Sequence, residues 1–164
     1  MSTMRTLDRI QKLANLIYAM GGEVKGRKRF QKIVFILQEI RVIRSTYDFQ
    51  WNYYGVYSYD LAWDIEFANK LKILKEEEVQ EDLNYITYKI KVADCEMEKG
   101  FSSKKTIKEL SKLDARTLEV LSSIFYLSRH YHRRSELESK LKALKGHLKG
   151  SFEQAFEIYS GMKK

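Results

Sequence analysis

Residues 71–92 read LKILKEEEVQEDLNYITYKIKV. From Tyr85 to Val92 the apolar side chains Ile86, Tyr88, Ile90 and Val92 alternate with Thr87, Lys89 and Lys91, and a spacing of two sends one set to each face of a β-strand. Upstream, Leu71, Ile73 and, past the acidic run Glu76–Glu78, Val79 predict a shorter strand, with Glu81 and Asp82 in the turn. The stretch is predicted to be a β-hairpin.

Working outward, residues 58–70 open on Ser58, a predicted N-cap, and stack Leu61, Ala62, Ile65 and Ala68 on one helical face, with Asp60 in the first turn where the helix dipole favours an anion. Asp60, Asp64 and Glu66 are expected on the exposed side of this helix. Before it, Tyr47, Phe49, Trp51 and Tyr53 alternate with Asp48, Gln50 and Asn52, which predicts a half-buried strand ending at Gly55. Residues 27–42 carry Phe30, Ile33, Val34, Leu37 and Ile40 at helical spacing, and Phe35 and Ile36 widen the apolar arc into that of a central helix. Residues 4–20 form another amphipathic helix, stopped by Gly21 and Gly22. Helix, strand, helix and hairpin in this order resemble a winged-helix layout, in which a helix offered to a groove is followed by a two-stranded wing.

Downstream, the polar stretch 94–103 is the natural connector, and the chain beyond it is predicted to be helical. A short segment Lys104–Lys112 precedes Asp114, an expected cap for a helix holding Leu118, Leu121, Ile124 and Phe125. Ser135 and Glu138 have the spacing of a capping box ahead of Leu141, Leu144 and Leu148, and Ser151 with Gln154 repeats it before Ala155, Phe156 and Tyr159. The expected fold is α+β and mainly α: residues 1–98 as a winged-helix-like part packed on residues 99–164 as a trihelical part, sharing one core.

The length of 164 residues suits one domain on a prior of ~100–200 residues per domain. An apolar share of 44% supplies enough burial to argue against disorder. Cys95 is the only cysteine, which removes any intrachain disulfide or thiolate-based metal site and fits a reducing compartment. Apolar runs such as Ile33–Leu37 fall far short of the ~20 residues of a membrane span, and no charged-then-apolar leader opens the sequence, so a cytoplasmic protein with no membrane partner is expected. The net charge of +8 is polarised: residues 1–44 and 83–164 each carry +7 and residues 45–82 carry −6.

The run Gly26–Gln38 (GRKRFQKIVFILQ), followed by Tyr53-Tyr54-Gly55-Val56-Tyr57-Ser58, resembles the YwgA-like family of small uncharacterised prokaryotic proteins and, more distantly, the Panacea domain of antitoxins. The likeness continues through Leu61, Ile65 and Leu71 and through Leu118–Leu127. The family pattern has Gly-Pro-Tyr-Ser where this chain has Gly55-Val56-Tyr57-Ser58. The resemblance implies a winged-helix-like fold and is silent on activity.

Lys25, Arg27, Lys28, Arg29 and Lys32 place five cations at the start of a helix, where unsatisfied amides already favour an anion, and are expected to contact phosphates. Arg129, Arg133 and Arg134 form a second basic cluster. The expected function is therefore non-catalytic nucleic-acid binding, regulatory or accessory, through backbone phosphates without sequence preference. Carboxylates on the 58–70 helix repel phosphates, which argues against that helix as a base reader. The alternative is a protein-interaction module, antitoxin-like or an adaptor, in which Tyr53, Tyr54, Tyr57, Tyr59, Trp63, Asp64 and Glu66 meet a partner. His130 and His132, two apart on a helix, point about 200° apart, and no nucleophile elbow or phosphate-binding glycine loop is present. No enzyme activity, cofactor or metal is expected.

Overall fold

Ile10, Leu13, Ala14 and Ile17 are buried along one face of the first helix, α1 (Ser2–Ala19). It stops where expected: Gly21 and Gly22 take positive φ, and the Gly22 amide donates back to the Ile17 carbonyl. The computed structural model describes residues 2–52, 55–92 and 104–163. The remaining elements are β1 (Glu23–Lys25), α2 (Arg27–Glu39), β2 (Gln50–Asn52), β3 (Gly55–Tyr57), α3 (Tyr59–Lys70), β4 (Leu74–Asp82), β5 (Tyr85–Val92), α4 (Lys104–Lys112), α5 (Ala115–Leu127), α6 (Arg134–Lys145), a 3-10 segment (Gly146–Ser151) and α7 (Phe152–Met162). The fold is α+β and mainly α. Among the described residues no helix is long and apolar enough to cross a membrane.

Two compact units emerge, and they interleave along the chain: Met1–Gln31 with Ser58–Lys112, and Lys32–Tyr57 with Leu113–Lys164. One boundary falls inside α2. This grouping differs from a division at residues 98 and 99, since the second half of α2 and the stretch to Tyr57 belong with the C-terminal helices. The expected connector, 94–103, lies outside the described residues.

In the first unit, β1, β5 and β4 form an antiparallel sheet in that order. The hairpin is there, with two differences. Its turn is at Leu83 and Asn84, and β4 runs through the acidic residues Glu76–Glu78 instead of stopping at them. Lysines make that possible: Glu77 lies opposite Lys89 in the ladder and holds Lys91 at 2.9 Å, and opposite charges across strands stabilise a sheet. Of the face formed by Ile86, Tyr88 and Ile90, only Ile90 is buried. Strand β1, three residues long, was not anticipated; Val24 is buried and pairs with Ile90. Ile107 and Leu110 of α4 are also buried, and α4 packs on α1.

In the second unit, Ile33–Leu37 are buried all round. Five rings follow one another: Tyr47 and Phe49 at 6.5 Å between centroids, Phe49 and Phe35 at 5.0 Å, Phe35 and Tyr126 at 6.2 Å, Tyr126 and Trp51 at 5.4 Å. The strand expected over Tyr47–Tyr53 is shorter, β2 only, and pairs with the unanticipated β3. Residues 47–49 still alternate in and out, but Tyr47 finds its backbone partner in a side chain: the Gln38 amide donates to the Tyr47 carbonyl at 2.8 Å and accepts from its N–H at 3.0 Å. Helix α5 packs on α7, with Phe125 edge-on to Tyr159 at 4.9 Å.

The expected capping boxes do not form. Helix α6 starts a residue before Ser135, with Arg133 in the cap position, and Glu138 accepts from Arg134 instead. Ser151 precedes α7, but its backbone is helical (φ −101°, ψ −2°), continuing the 3-10 turn, where an N-cap is normally extended, and it makes no side-chain cap bond. Asp114 caps α5 by position without a side-chain bond, and Leu144, placed on the apolar stripe by spacing, is exposed.

Candidate functional site: the exposed face of α3 and the basic clusters

Helix α3 is buried on one face and exposed on the other. Ser58, fully buried, caps it through a hydroxyl that accepts from the Leu61 amide at 3.2 Å. The Ser58 backbone is in turn gripped by Gln31, whose side chain donates to the Ser58 carbonyl and accepts from its N–H, both at 2.9 Å. Leu61, Asp64, Ile65 and Ala68 form the buried face.

Asp64 therefore corrects the expectation of a solvent-facing partner residue. Its carboxylate is fully buried and takes two bonds from Arg9 of α1, from Nε at 2.9 Å and Nη2 at 3.1 Å. Position 64 lies three after Leu61 and four before Ala68, and that spacing places it on the inward face; reading the residue by its charge overrode reading it by its position. A charge reversal at Asp64 would set a second cation against Arg9 in a buried place and disrupt the fold.

The outward face carries Tyr59 and Trp63, one turn apart and 63% and 64% exposed. Asp60, Glu66 and Lys70 are exposed on the same helix. Glu66 is held by Arg27 at 3.0 Å. Tyr57 is half-buried on β3. Tyr53 and Tyr54 lie outside the described residues.

The five cations expected as one phosphate-binding cluster have different fates. Arg27 donates from Nε to both carboxylate oxygens of Glu76, at 2.9 and 3.0 Å, and from Nη2 to Glu76 and Glu66. Hydrogen bonding to Glu76, then to Glu66, raises the Arg27 pKa above its ordinary value despite partial desolvation, so its charge is permanent and already balanced. Asn69 of α3 donates to the same Glu76 at 2.5 Å. Arg29 donates to the Ser111 carbonyl at 3.0 Å, and Lys32 is buried. Lys25 and Lys28 are exposed.

In the other cluster, Arg129 is paired with Glu39 and its guanidinium lies 5.3 and 5.2 Å from the ring centroids of Phe35 and Tyr126. Arg133 is exposed, and Arg134 bonds Glu138 at 3.1 Å. His130 and His132 are exposed, and among the described residues no three His, Cys, Asp or Glu side chains converge as a metal would require.

No family model matches the chain, and neither a curated protein nor a solved structure matches it.

Proposed function

We propose that this is a non-catalytic protein-interaction module, antitoxin-like or an adaptor, that engages a basic partner through the outward face of α3. The observation that supports this reading is the pair Tyr59 and Trp63, nearly two-thirds exposed on a helix whose opposite face is fixed by the Arg9–Asp64 pair and the Gln31–Ser58 bonds. Tyr and Trp held rigidly from below are the side chains that dominate binding interfaces, because they remove large area from water at little entropic cost. Asp60, exposed on the same helix, favours a basic partner. A cytoplasmic setting and a likeness to the YwgA-like family belong to the same proposal.

Nucleic-acid binding is the second reading. It draws on the net charge of +8 and on the order α1-β1-α2-β2-β3-α3-β4-β5 with a β1-β5-β4 sheet, which we read as winged-helix-like with the β2-β3 pair inserted before α3. It ranks second because α3, the helix such a layout offers to a groove, carries Asp60 and Glu66, and because Arg27 is neutralised by Glu76 and Glu66.

Cross-linking in a native lysate, followed by mass spectrometry, compares wild type with Tyr59→Ala/Trp63→Ala. Loss of two anchors at about 2 kcal/mol each should reduce partner recovery by well over 30-fold, with the melting temperature nearly unchanged. Unchanged recovery, together with salt-sensitive duplex binding that Lys25→Gln/Lys28→Gln abolishes, would transfer the function to phosphate contact.

A further inference from the structure

Four large apolar side chains stand four residues apart along α3: Tyr59, Trp63, Phe67 and Leu71. Helical backbone carries the whole series, since Leu71 in the cap position keeps φ −80° and ψ −3°, and Lys72 then breaks away with a positive φ. On an α-helix a step of four makes a continuous ridge, and twelve residues at 1.5 Å each give it a length of about 18 Å. The ridge drifts by about 40° per step toward Asp64 and the buried face. Exposure follows the drift: Tyr59 is 63% and Trp63 64% exposed, Phe67 is half-buried, and Leu71 is 42% exposed. Asp60 and Glu66, three residues before and after Trp63, flank the ridge with one carboxylate on each side, and Lys70 stands at its far end, all three exposed.

We propose that the element docking on this ridge is an amphipathic helix of the partner, with an apolar seam and Lys or Arg beside it, crossing α3 at about −50°. The proposal rests on the reading of α3 as the contact face and names what that face takes. A ridge of side chains four apart fits the groove between the same ridges of a second helix, and because ridge and groove run parallel the contact follows all four side chains. A strand alternates its side chains every two residues and presents no such groove. Asp60 and Glu66 place the partner's cations over the first half of the ridge, and Glu66 already makes this kind of pair with Arg27 at 3.0 Å. Lys70 keeps them from the far end.

The test is fluorescence anisotropy of the full chain with three labelled peptides of about 14 residues, long enough to cover the ridge. The first sets Leu at helical spacing among Lys, the second alternates the same residues one by one, and the third replaces each Lys of the first by Glu. The first should bind at least about 10-fold more tightly than either other and gain helical circular dichroism on binding. Trp63→Ala should weaken it by about 30-fold and Leu71→Ala, at the other end of the ridge, by about 5-fold, with the melt nearly unchanged at these exposed positions. Asp60→Asn should weaken it by about 3-fold, and Glu157→Gln, exposed on α7, should bind as wild type. The proposal is overturned if the alternating or the acidic peptide binds as tightly as the first, if no peptide binds by about 1 mM, if Leu71→Ala binds unchanged, or if Glu157→Gln loses as much as Asp60→Asn, which would reduce the effect to net charge. Leu71→Ala unchanged beside a weakened Trp63→Ala removes the helix and leaves the reading of α3 standing. That reading falls instead if Tyr59→Ala/Trp63→Ala leaves cross-linking unchanged.

Discussion

The first unit ties its elements with ion pairs, and the second adds a row of aromatic rings to the pairs Arg129–Glu39 and Lys145–Glu119. In the first, Arg9 reaches from α1 to Asp64 of α3, Arg27 links α2 to β4 and α3, and Lys89 and Lys91 answer Glu23 and Glu77 across the sheet. In the second, five aromatic rings run from Tyr47 to Trp51 by way of Tyr126, and the cations there lie against ring faces, as Arg129 does on Phe35 and Lys145 on Trp51. Both units are rich in Lys and Arg, yet a count of cations does not say which of them are available to a ligand. That depends on carboxylates dozens of residues away.

The contrast is most exposed at Phe35. Phe35→Ala removes the ring at the middle of the aromatic row and should cost about 3–5 kcal/mol, read by urea unfolding. A loss under about 1 kcal/mol would mean that the row is not what holds the second unit.

The matching test in the first unit is Arg9→Met, which leaves the buried Asp64 carboxylate without its bidentate cation and should cost about 3 kcal/mol. The double variant Arg9→Met/Asp64→Leu should recover most of this, since an apolar pair avoids burying a charge. If the single change is silent, charge does not tie α1 to α3.

Gln31→Met strips the Ser58 N–H and carbonyl of their partners in a buried place and should cost about 2–3 kcal/mol. Amide exchange at α3 should accelerate more than at α7.

The smallest effect is at the sheet surface. Hydrogen bonding to Lys91, then its charge, lowers the Glu77 pKa below the ordinary 4.5, and the same bond raises that of Lys91 above 10.5. A depressed carboxylate stabilises the fold above its unfolded pKa and loses that contribution as pH falls through the folded value. The difference in melting temperature between wild type and Glu77→Gln should therefore be small and constant near pH 7. It should shrink as pH drops below 4.5 and again as pH climbs past 10.5. A difference that grows on acidification would assign the bond no stabilising role.

Most of the fold is legible in the sequence where elements are long enough to show a period. Helices α1, α2, α3, α5, α6 and α7 and strand β5 all carry one, and the Gly21-Gly22 stop and the Ser58 cap are local chemistry. Strands β1 and β3 are three residues each, too short for alternation to register. The two glutamines that hold Ser58 and Tyr47 sit seven apart on α2, a spacing visible in the sequence, but their partners are set only by the packing. For the candidate site, the aromatic face of α3 follows from helical spacing. The commitment of Arg27 to Glu66 and Glu76, 39 and 49 residues away, does not.

The interleaving of the two units has a consequence for heredity. The chain passes from one unit to the other after Gln31, after Tyr57 and after Lys112. No single cut in the coding sequence separates them, and no contiguous exon-like piece encodes either one whole. Recombination that swaps modules by joining ends has no whole unit to exchange here: a truncation at any of these points leaves at least one unit without a segment that belongs to it. The two units must therefore be inherited together.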